Sequence, residues 1–426
     1  MKHLLQHWWI QRYYPFLICF SGLLILVVIN GLTSTTISVF DRVLLDEFQW
    51  SRSELKLRDS IPNATAFALI FFSGLLIDKF RVRRLLLIGS LILSIALYSY
   101  SLIHTKFEAY FLHFLFGVAY TLSGSVSAII LVSSWFYKHK GLALGITLAG
   151  TSLGSFVFPN LIHHWLELWG WRSTFQHLAI FPIILFVFIF LFVKSSPSEL
   201  NLEAFGSTDE PRHSKNNLSE PLAEGLSFEQ ALQTPTFWLI CLCGFLTFYG
   251  LLGVVANLFL HITDLGFTAQ DATFALTLYF GVAFGGKLLI TSVSDYFNTY
   301  RIFTLCCTLM TISVLGFTTM EKNLVYWSTA GMALSWGGIY SMYNVLTIRT
   351  FGLKSAGKIN GTINMFESAG AFCGPIFTGF IFDKTHSYQL AFLIITCIMG
   401  FATLLSFLFS PKKKTTSNAE IEGFSK

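Results

Sequence analysis

The stretch GLLIDKFRVRRLL, from Gly74 to Leu86, places a cluster of charges between two apolar runs. An apolar run ends at the acid Asp78, four basic side chains follow within the next six residues, and leucines resume at once. In a chain that is 54% hydrophobic and only 12% charged, this crowding of charge indicates a short polar turn between two apolar helices. The apolar runs on either side of the turn decide the fold.

Those runs are too long for an ordinary soluble core. Phe alone supplies 45 of 426 residues, the mean hydropathy is +0.63, and apolar stretches of about 20 residues recur, which is the length that crosses a bilayer. The first run, Phe16–Ile29, continues through Val39 without a small-residue cleavage site, so it is interpreted as a retained span and not a signal peptide. The sequence predicts an integral membrane protein.

Polar breaks divide the chain into twelve predicted helices. They cover residues 15–40, 56–77, 84–103, 107–132, 141–165, 172–193, 236–261, 270–293, 301–319, 324–347, 357–382 and 388–409. The polar insert between the sixth and seventh helices has the composition of a loose linker. The predicted fold is an all-α membrane protein in two six-helix halves. Its segments are an N-terminal half (1–193), a cytoplasmic linker (194–234), a C-terminal half (235–410) and a cytoplasmic tail (411–426).

Charge predicts the orientation. Most Lys and Arg residues fall in the even-numbered loops and the two tails, and basic residues are held back on the cytoplasmic side of membranes. Both termini are therefore expected in the cytoplasm, and the formal net charge of +5 needs no nucleic-acid partner to explain it. Short loops are typical of a bacterial plasma membrane protein, and membrane lipid is the expected surrounding.

The opening stretch resembles a family signature. The order Gly74, Leu76, Asp78, Lys79, Arg83 is similar to the loop motif of the major facilitator superfamily, although Arg81 stands where that motif prefers Gly. The resemblance implies that Gly74, Asp78 and Lys79, with the basic pair Arg83 and Arg84, latch neighbouring helices on the cytoplasmic side.

Four further segments resemble one branch of that superfamily, the monocarboxylate transporters and oxalate:formate antiporters. They are EFQWSRSEL (47–55), WFYKHKGLALGITLAGTSLGSFVFP (135–159), GWRSTF (170–175) and FDKTHSYQLAF (382–392). The resemblance implies a small organic anion as substrate, moved with a proton or in exchange. Within the second segment Gly141, Gly145, Gly150 and Gly154 follow a helical spacing that predicts close packing of the fifth span.

Ionisable groups inside apolar spans are the candidates for substrate chemistry, because placing them there is costly. Lys287 lies in the eighth span, eight residues before the loop acid Asp295. In the resembling family an Arg at this position pairs with the substrate carboxylate, and Lys287 would supply a point charge in its place. The alternative for Lys287 is a structural ion pair with an acid on another helix.

Glu367 is the second candidate, in the eleventh span. By its spacing it resembles the position where oxalate transporters place a second cation, so the charge is reversed here. We expect Glu367 to pair with Lys287 until substrate or a proton disrupts the pair, with a permanent structural bridge as the alternative. A buried Glu that takes up a proton would also serve proton coupling.

Other positions are weaker candidates. Arg58, adjacent to Asp59, is predicted either to line the cavity or to lie at the outer interface, and the two side chains are expected to serve different partners. His113 resembles a family position tied to proton transfer, with an ordinary buried His as the alternative. Thr35 stands where animal monocarboxylate transporters place a Lys. The remaining predicted wall residues are Asn30, Tyr279, Tyr343 and Asn344.

The sequence thus predicts a secondary transporter and not an enzyme. It shows no nucleotide-binding Gly-Lys-Ser/Thr loop and no zinc-type cysteine spacing, so neither a cofactor nor a metal is expected. The alternatives are a carrier of a larger metabolite such as a siderophore, a vitamin such as riboflavin, or a drug, and a substrate sensor that does not transport. A membrane-embedded acyltransferase is a further rival, although no His with a supporting acid stands out. No protein partner is identified, and a monomer suffices for this function.

Overall fold

The structure is a computed structural model that describes residues 2–33, 35–206, 225–294, 296–319, 321–352 and 354–409. For residues 2–12, 35, 70–79, 291, 292, 294, 341, 344 and 356 it describes the backbone only. Five predicted site residues therefore lie outside the described side chains: Thr35, Gly74, Asp78, Lys79 and Asn344.

The described chain is helical almost throughout. The helices of the first half are α1 (Lys2–Thr33), α2 (Asp41–Phe48), α3 (Arg52–Lys79), α4 (Val82–Tyr100), α5 (Lys106–Ser123), α6 (Ser125–Trp135), α7 (Lys140–Leu178) and α8 (Ile180–Phe192), with a 3₁₀ turn at Thr35–Phe40. A second 3₁₀ turn (Pro197–Leu200) and α9 (Phe228–Leu232) belong to the linker. The second half contains α10 (Pro235–Val255), α11 (Leu258–Asp264), α12 (Ala269–Ser294), α13 (Thr299–Gly316), α14 (Lys322–Phe351), α15 (Ala356–Thr385) and α16 (Gln389–Ser406).

Local sequence explains where several helices begin and end. Thr105 and Glu108 form a capping box at the start of α5, and Asn298 accepts hydrogen bonds from the first backbone N–H groups of α13. Gly170, with a φ of 73°, allows the chain to reverse inside α7, so that this helix contains the end of one span and the start of the next.

Twelve spans result. Among the described residues, nine segments are long and apolar enough to cross a bilayer, and one of them, Lys140–Phe192, folds back at Gly170 to make two. The other two spans are α3 and α14, with 28 and 30 residues. The prediction of an all-α membrane protein with twelve spans in two halves is confirmed.

The two halves repeat one packing scheme. In the first half α1 packs on α7, and α5 packs on both α3 and α4. In the second half α10 packs on α15, and α14 packs on both α12 and α13, which is the same pairing in the same order. Among the described residues, the most extensive helix contacts between the halves are those of α3 with α15 and of α7 with α12.

Glycines hold the equivalent seams together. A Cβ on Gly150 or Gly154 would lie 2.5 or 2.2 Å from a carbonyl oxygen of α1, and a Cβ on Gly370 or Gly374 would lie 2.1 or 2.2 Å from one of α10. Backbones this close exclude any larger residue. The predicted packing role is confirmed for Gly150 and Gly154. It is wrong for Gly141 and Gly145, whose Cβ positions have nothing within 4 Å.

The two ends of the molecule differ in how firmly the halves are joined. We call the end that holds Tyr14 and Phe192 the terminal face, and the end that holds α2 and α11 the distal face. Hydrogen bonds described between the halves all lie at the level of Lys287 or closer to the distal face. The described conformation is therefore closed at the distal face.

The distal gate consists of Arg42, Arg52, Asp264 and Asp383. Asp264 accepts hydrogen bonds from Arg52 at 2.8 and 2.9 Å and from Arg42 at 3.2 Å. Asp383, on α15, accepts from the backbone nitrogens of Arg52 and Ser53 at 2.8 and 2.9 Å, so one half caps the first turn of a helix in the other. Burial raises the pKa of the Asp264 carboxyl above its usual range, against the opposing effect of the two arginines.

The linker differs from expectation at both ends. Its first residues bind the end of α6, because the Phe205 nitrogen donates to the Trp135 carbonyl at 2.8 Å and the Trp135 indole donates to the Lys194 carbonyl at 3.2 Å. Its last residues bind the end of α14 through Leu226, which donates to the Phe351 carbonyl at 2.8 Å. A loose linker is therefore wrong for these two segments, and residues 207–224 lie outside the described part.

Candidate functional site

A cavity of about 260 Å³ lies between the two halves. Its polar wall includes Asn30, Asp59, Asn63, His113, Thr151, Ser152, Ser155 and Lys287. Its aromatic wall consists of Tyr120, Tyr279, Phe280, Trp336 and Tyr340. The cavity therefore offers both charged and aromatic surfaces to a small molecule.

Lys287 projects from α12 across the boundary between the halves. Its ammonium donates to the hydroxyls of Thr151 at 3.2 Å and Ser152 at 3.0 Å, both on α7, and it lies 4.9 Å from the centre of the Tyr340 ring. Gly337 of α14 permits this placement, because a Cβ there would lie 2.6 Å from the Lys287 backbone nitrogen. The cation of the second half is thus held by hydroxyls of the first.

Glu367 is buried and is not among the described residues that line the cavity. Its side chain is buried between α10 and α15, where its Cγ would lie 3.2 Å from a Cβ on Gly244. The Tyr343 hydroxyl lies 3.8 Å from the position that a Cβ on Gly244 would occupy, and it forms a hydrogen bond with the Thr247 hydroxyl at 2.9 Å. The ion pairs described in the structure do not include the expected pair between Lys287 and Glu367. Glu367 of α15 and Tyr343 of α14 therefore lie next to each other against α10.

Two predicted wall residues do line the cavity. Asn30 of α1 donates to the Thr151 carbonyl at 3.1 Å, which fixes the segment of α7 that also binds Lys287. Tyr279 is buried at the wall, and its hydroxyl has no hydrogen-bond partner among the described residues. The backbones of Thr35 and Asn344 lie at the start of the first 3₁₀ turn and within α14.

Four charged residues form a buried cluster beside the cavity, which we call the charge quartet: Asp41, Lys56, Arg58 and Asp59. Arg58 donates to Asp41 at 2.6 Å and to Asp59 at 2.8 and 2.9 Å, and also to the Tyr100 hydroxyl at 3.3 Å. Lys56 donates to Asp59 at 2.9 Å, to Asp41 and to the Ala256 carbonyl of the other half. Two acids and two bases thus balance in charge inside the protein.

The quartet corrects the sequence-based interpretation of Arg58. Its side chain is fully buried and is not among the residues that line the cavity, and it binds the adjacent Asp59, so the two residues are partners of each other. Sequence reasoning missed Asp41 and Lys56, which lie at the edges of the first two predicted spans. The sequence did contain a signal: Lys56, Arg58 and Asp59 are two bases with only one acid. Because buried charges are paired, a second acid was to be expected nearby.

His113 faces the quartet from α5. It lines the cavity, is 3% exposed, and neither ring nitrogen has a hydrogen-bond partner among the described residues. Its ring packs against Tyr100 and Phe116, with centroids 5.5 and 4.9 Å apart. The imidazole is thus one of the buried polar groups with free hydrogen-bonding capacity at the cavity.

The described part of the predicted latch links helices at the terminal face. Arg83 donates to the Phe190 carbonyl of α8, and its backbone nitrogen donates to the Ser195 hydroxyl at 3.3 Å. Arg84 is exposed. Arg83 therefore joins the start of α4 to the end of α8.

Comparison with known proteins places the fold in a wider group. A family model described as Major Facilitator Superfamily matches residues 23–372. A solved structure of a bacterial homologue of the human lysosomal transporter Spinster, in an inward-facing and occupied conformation, aligns with a TM-score of 0.72 at 15% identity. That alignment covers 93% of this chain and 97% of the other and shows the same fold.

Relatives in sequence are transporters with different named substrates. Monocarboxylate transporter 10 of Rattus norvegicus is 26% identical over 355 residues, which cover 80% of this chain and 67% of that protein. The hexuronate transporter of Bacillus subtilis (strain 168) is 21% identical over 88% of this chain and 90% of that protein. Riboflavin transporter RibJ of Trypanosoma brucei brucei is 29% identical over 176 residues, which are 40% of this chain and 31% of that protein. The match thus spans about a third of that relative's length.

The family model covers most of the 426 residues, and the helix pairing, the central cavity and the structural alignment agree with it. The chain therefore belongs to the Major Facilitator Superfamily.

Proposed function

We propose that the protein is a secondary active transporter that moves a small organic anion by alternating access, either with a proton or in exchange for another anion. The observation that carries this proposal is the position of Lys287. Its ammonium lies in the wall of the central cavity and contacts both halves, so a bound carboxylate would touch the two parts that must move.

The chemistry of the cavity supports a carboxylate. The Lys287 ammonium provides a charge-assisted hydrogen bond to a carboxylate oxygen, and the Ser152 hydroxyl can donate to the same group. The monocarboxylate and hexuronate transporters among the relatives carry organic acids by name. For this chain, a small organic acid is the substrate class that these features favour.

Each face of the molecule and each part of the chain has a place in the proposed transporter. We place the terminal face in the cytoplasm of a bacterial plasma membrane, since the excess of Lys and Arg lies on that side. The moving halves are residues 1–193 and 235–410, joined by the cytoplasmic linker 194–234 and followed by the tail 411–426. Proton coupling through His113 or Glu367 stays a prediction.

A larger aromatic substrate is the second candidate. The cavity wall presents three tyrosines, a tryptophan and a phenylalanine, on which a planar ring could stack. The riboflavin transporter among the relatives carries a compound of this kind. Uptake of riboflavin or a similar ring compound, with small acids inactive, would favour this candidate.

Lys287→Ala should reduce the uptake of a small carboxylate about 10- to 100-fold, which is the value of one or two charge-assisted hydrogen bonds. The measurement is uptake of labelled lactate, pyruvate, formate and oxalate into proteoliposomes, with and without an imposed pH gradient. Lys384→Ala is the matched control, because Lys384 is an exposed residue near the distal face. Equal substrate affinity in the two variants would remove Lys287 from the binding site.

A further inference from the structure

The two acids of the charge quartet have different access to solvent. Asp41 is fully buried, whereas the Asp59 side chain is 13% exposed and forms part of the cavity wall. Both acids bind the same two cations, Lys56 and Arg58. Asp59 is thus the member of the quartet that a proton entering the cavity can reach.

Protonation of Asp59 would change the net charge of the quartet. With both acids ionised, two negative and two positive charges cancel. One proton on Asp59 leaves the cluster with a net charge of +1 at the cavity wall, in a setting where charge is weakly screened. A carboxylate in the cavity would then be attracted to this wall as well as to Lys287.

We propose that Asp59 is a proton-binding residue of the transport cycle, and that its protonation converts the neutral quartet into a cationic site that favours binding of the substrate carboxylate. This inference rests on the proposed transport of an organic anion. It names the group that couples the anion to a proton.

In the described, distally closed conformation, the cations that face Asp59 favour its ionised form. Lys56 and Arg58 bind Asp59 from the same helix, and Asp41, at the start of α2, binds the same two cations. Tyr100 of α4 is uncharged and accepts a hydrogen bond from Arg58. His113 of α5 and Lys287 of α12 line the same cavity. From α15, Pro375 lines the wall, and the acid Asp383 lies at the N-terminus of α3.

Lys56 links the proton site to the distal gate. Its ammonium binds Asp59 and also the Ala256 carbonyl of the other half. Lys56 lies one helical turn from Arg52, a residue of the gate, on the same helix. Ionised Asp59 therefore helps to hold Lys56 in a contact that closes the distal face, and a proton on Asp59 weakens this hold.

A spectroscopic test does not need the substrate. Infrared difference spectra of the purified full-length protein, recorded as the pH is lowered, should show the carbonyl stretching band of a protonated carboxylic acid that disappears in Asp59→Asn and persists in Glu367→Gln. If Asp59→Asn does not fold, Asp59→Glu should shift the same band. A band that is unchanged in the Asp59 variants and lost in Glu367→Gln would overturn the assignment.

A transport test measures the coupling. In proteoliposomes, wild-type affinity for the carboxylate should rise as the pH falls, because a proton on Asp59 favours anion binding. Asp59→Asn should keep exchange of internal for external substrate but lose both the pH dependence and accumulation driven by a proton gradient, whereas Glu167→Gln, an exposed acid on α7, should behave as the wild type. Unchanged proton-driven accumulation in Asp59→Asn would refute the role of Asp59 and leave carboxylate transport standing. An Asp59 band in a protein that carries no carboxylate would instead count against the proposed function alone.

Discussion

Arg58→Met should destabilise the protein by about 3–5 kcal/mol, the usual loss when one partner of a buried ion pair is removed. Arg58 is fully buried and donates four hydrogen bonds to Asp41, Asp59 and Tyr100. Methionine would fill much of the space but would leave two buried carboxylates with a single cation. The measurement is the midpoint of thermal unfolding in detergent, followed by tryptophan fluorescence.

Two further variants separate charge imbalance from lost packing. Arg301→Met removes an exposed arginine from the start of α13 and should leave the midpoint nearly unchanged. Asp41→Asn combined with Arg58→Met restores the charge balance and should recover part of the loss. Equal midpoints for Arg58→Met and Arg301→Met would show that the quartet contributes little to stability.

Gly379→Leu should hold the distal gate open and abolish uptake. A Cβ on Gly379 would lie 2.9 Å from the Arg52 carbonyl oxygen and 3.0 Å from the Ser53 nitrogen, both backbone atoms at the start of α3. A leucine there must push α15 away from α3, which breaks the hydrogen bonds that Asp383 accepts one turn further along. A transporter that cannot close one face cannot complete alternating access.

The gate can be measured directly by electron paramagnetic resonance. Spin labels on Glu167 and Gln389, exposed residues near the distal face of the two halves, should report a longer distance in Gly379→Leu than in the parent, in a background without other cysteines. Gly361→Leu is the control, because that position on the same helix has nothing within 4 Å of its Cβ. Identical distance distributions in parent and Gly379→Leu would mean that this contact does not control the gate.

The sequence predicted the fold because hydropathy is a local property. Each span could be recognised from its own composition, and even the reversal at Gly170 fell between two predicted helices. Lys287 could be placed at the cavity for a similar reason, since a lone cation within an apolar run needs a polar environment.

The rest of the site depends on contacts between distant segments. Asp41 and Lys56 lie at the edges of predicted spans, where sequence reasoning assigns charges to the interface, and only the packing of α2, α3 and α4 buries them together. Glu367 was expected opposite Lys287, but the rotation of α15 is set by its close contact with α10 at Gly370 and Gly374. The four-residue spacing of Gly370 and Gly374 marks the packed face of α15, but the sequence does not show which helix that face meets.

The glycine seams described above have a mechanical consequence. Backbones are in contact between α1 and α7 and between α10 and α15, so under the proposed alternating access we expect motion to be concentrated where α3 meets α15 and α7 meets α12. One of these two contacts contains Asp59 and the other contains Lys287 with its hydroxyl partners. Each of these contacts thus contains one of the two proposed binding groups. The substrate would bind at the contact of α7 with α12, and the proton at the contact of α3 with α15.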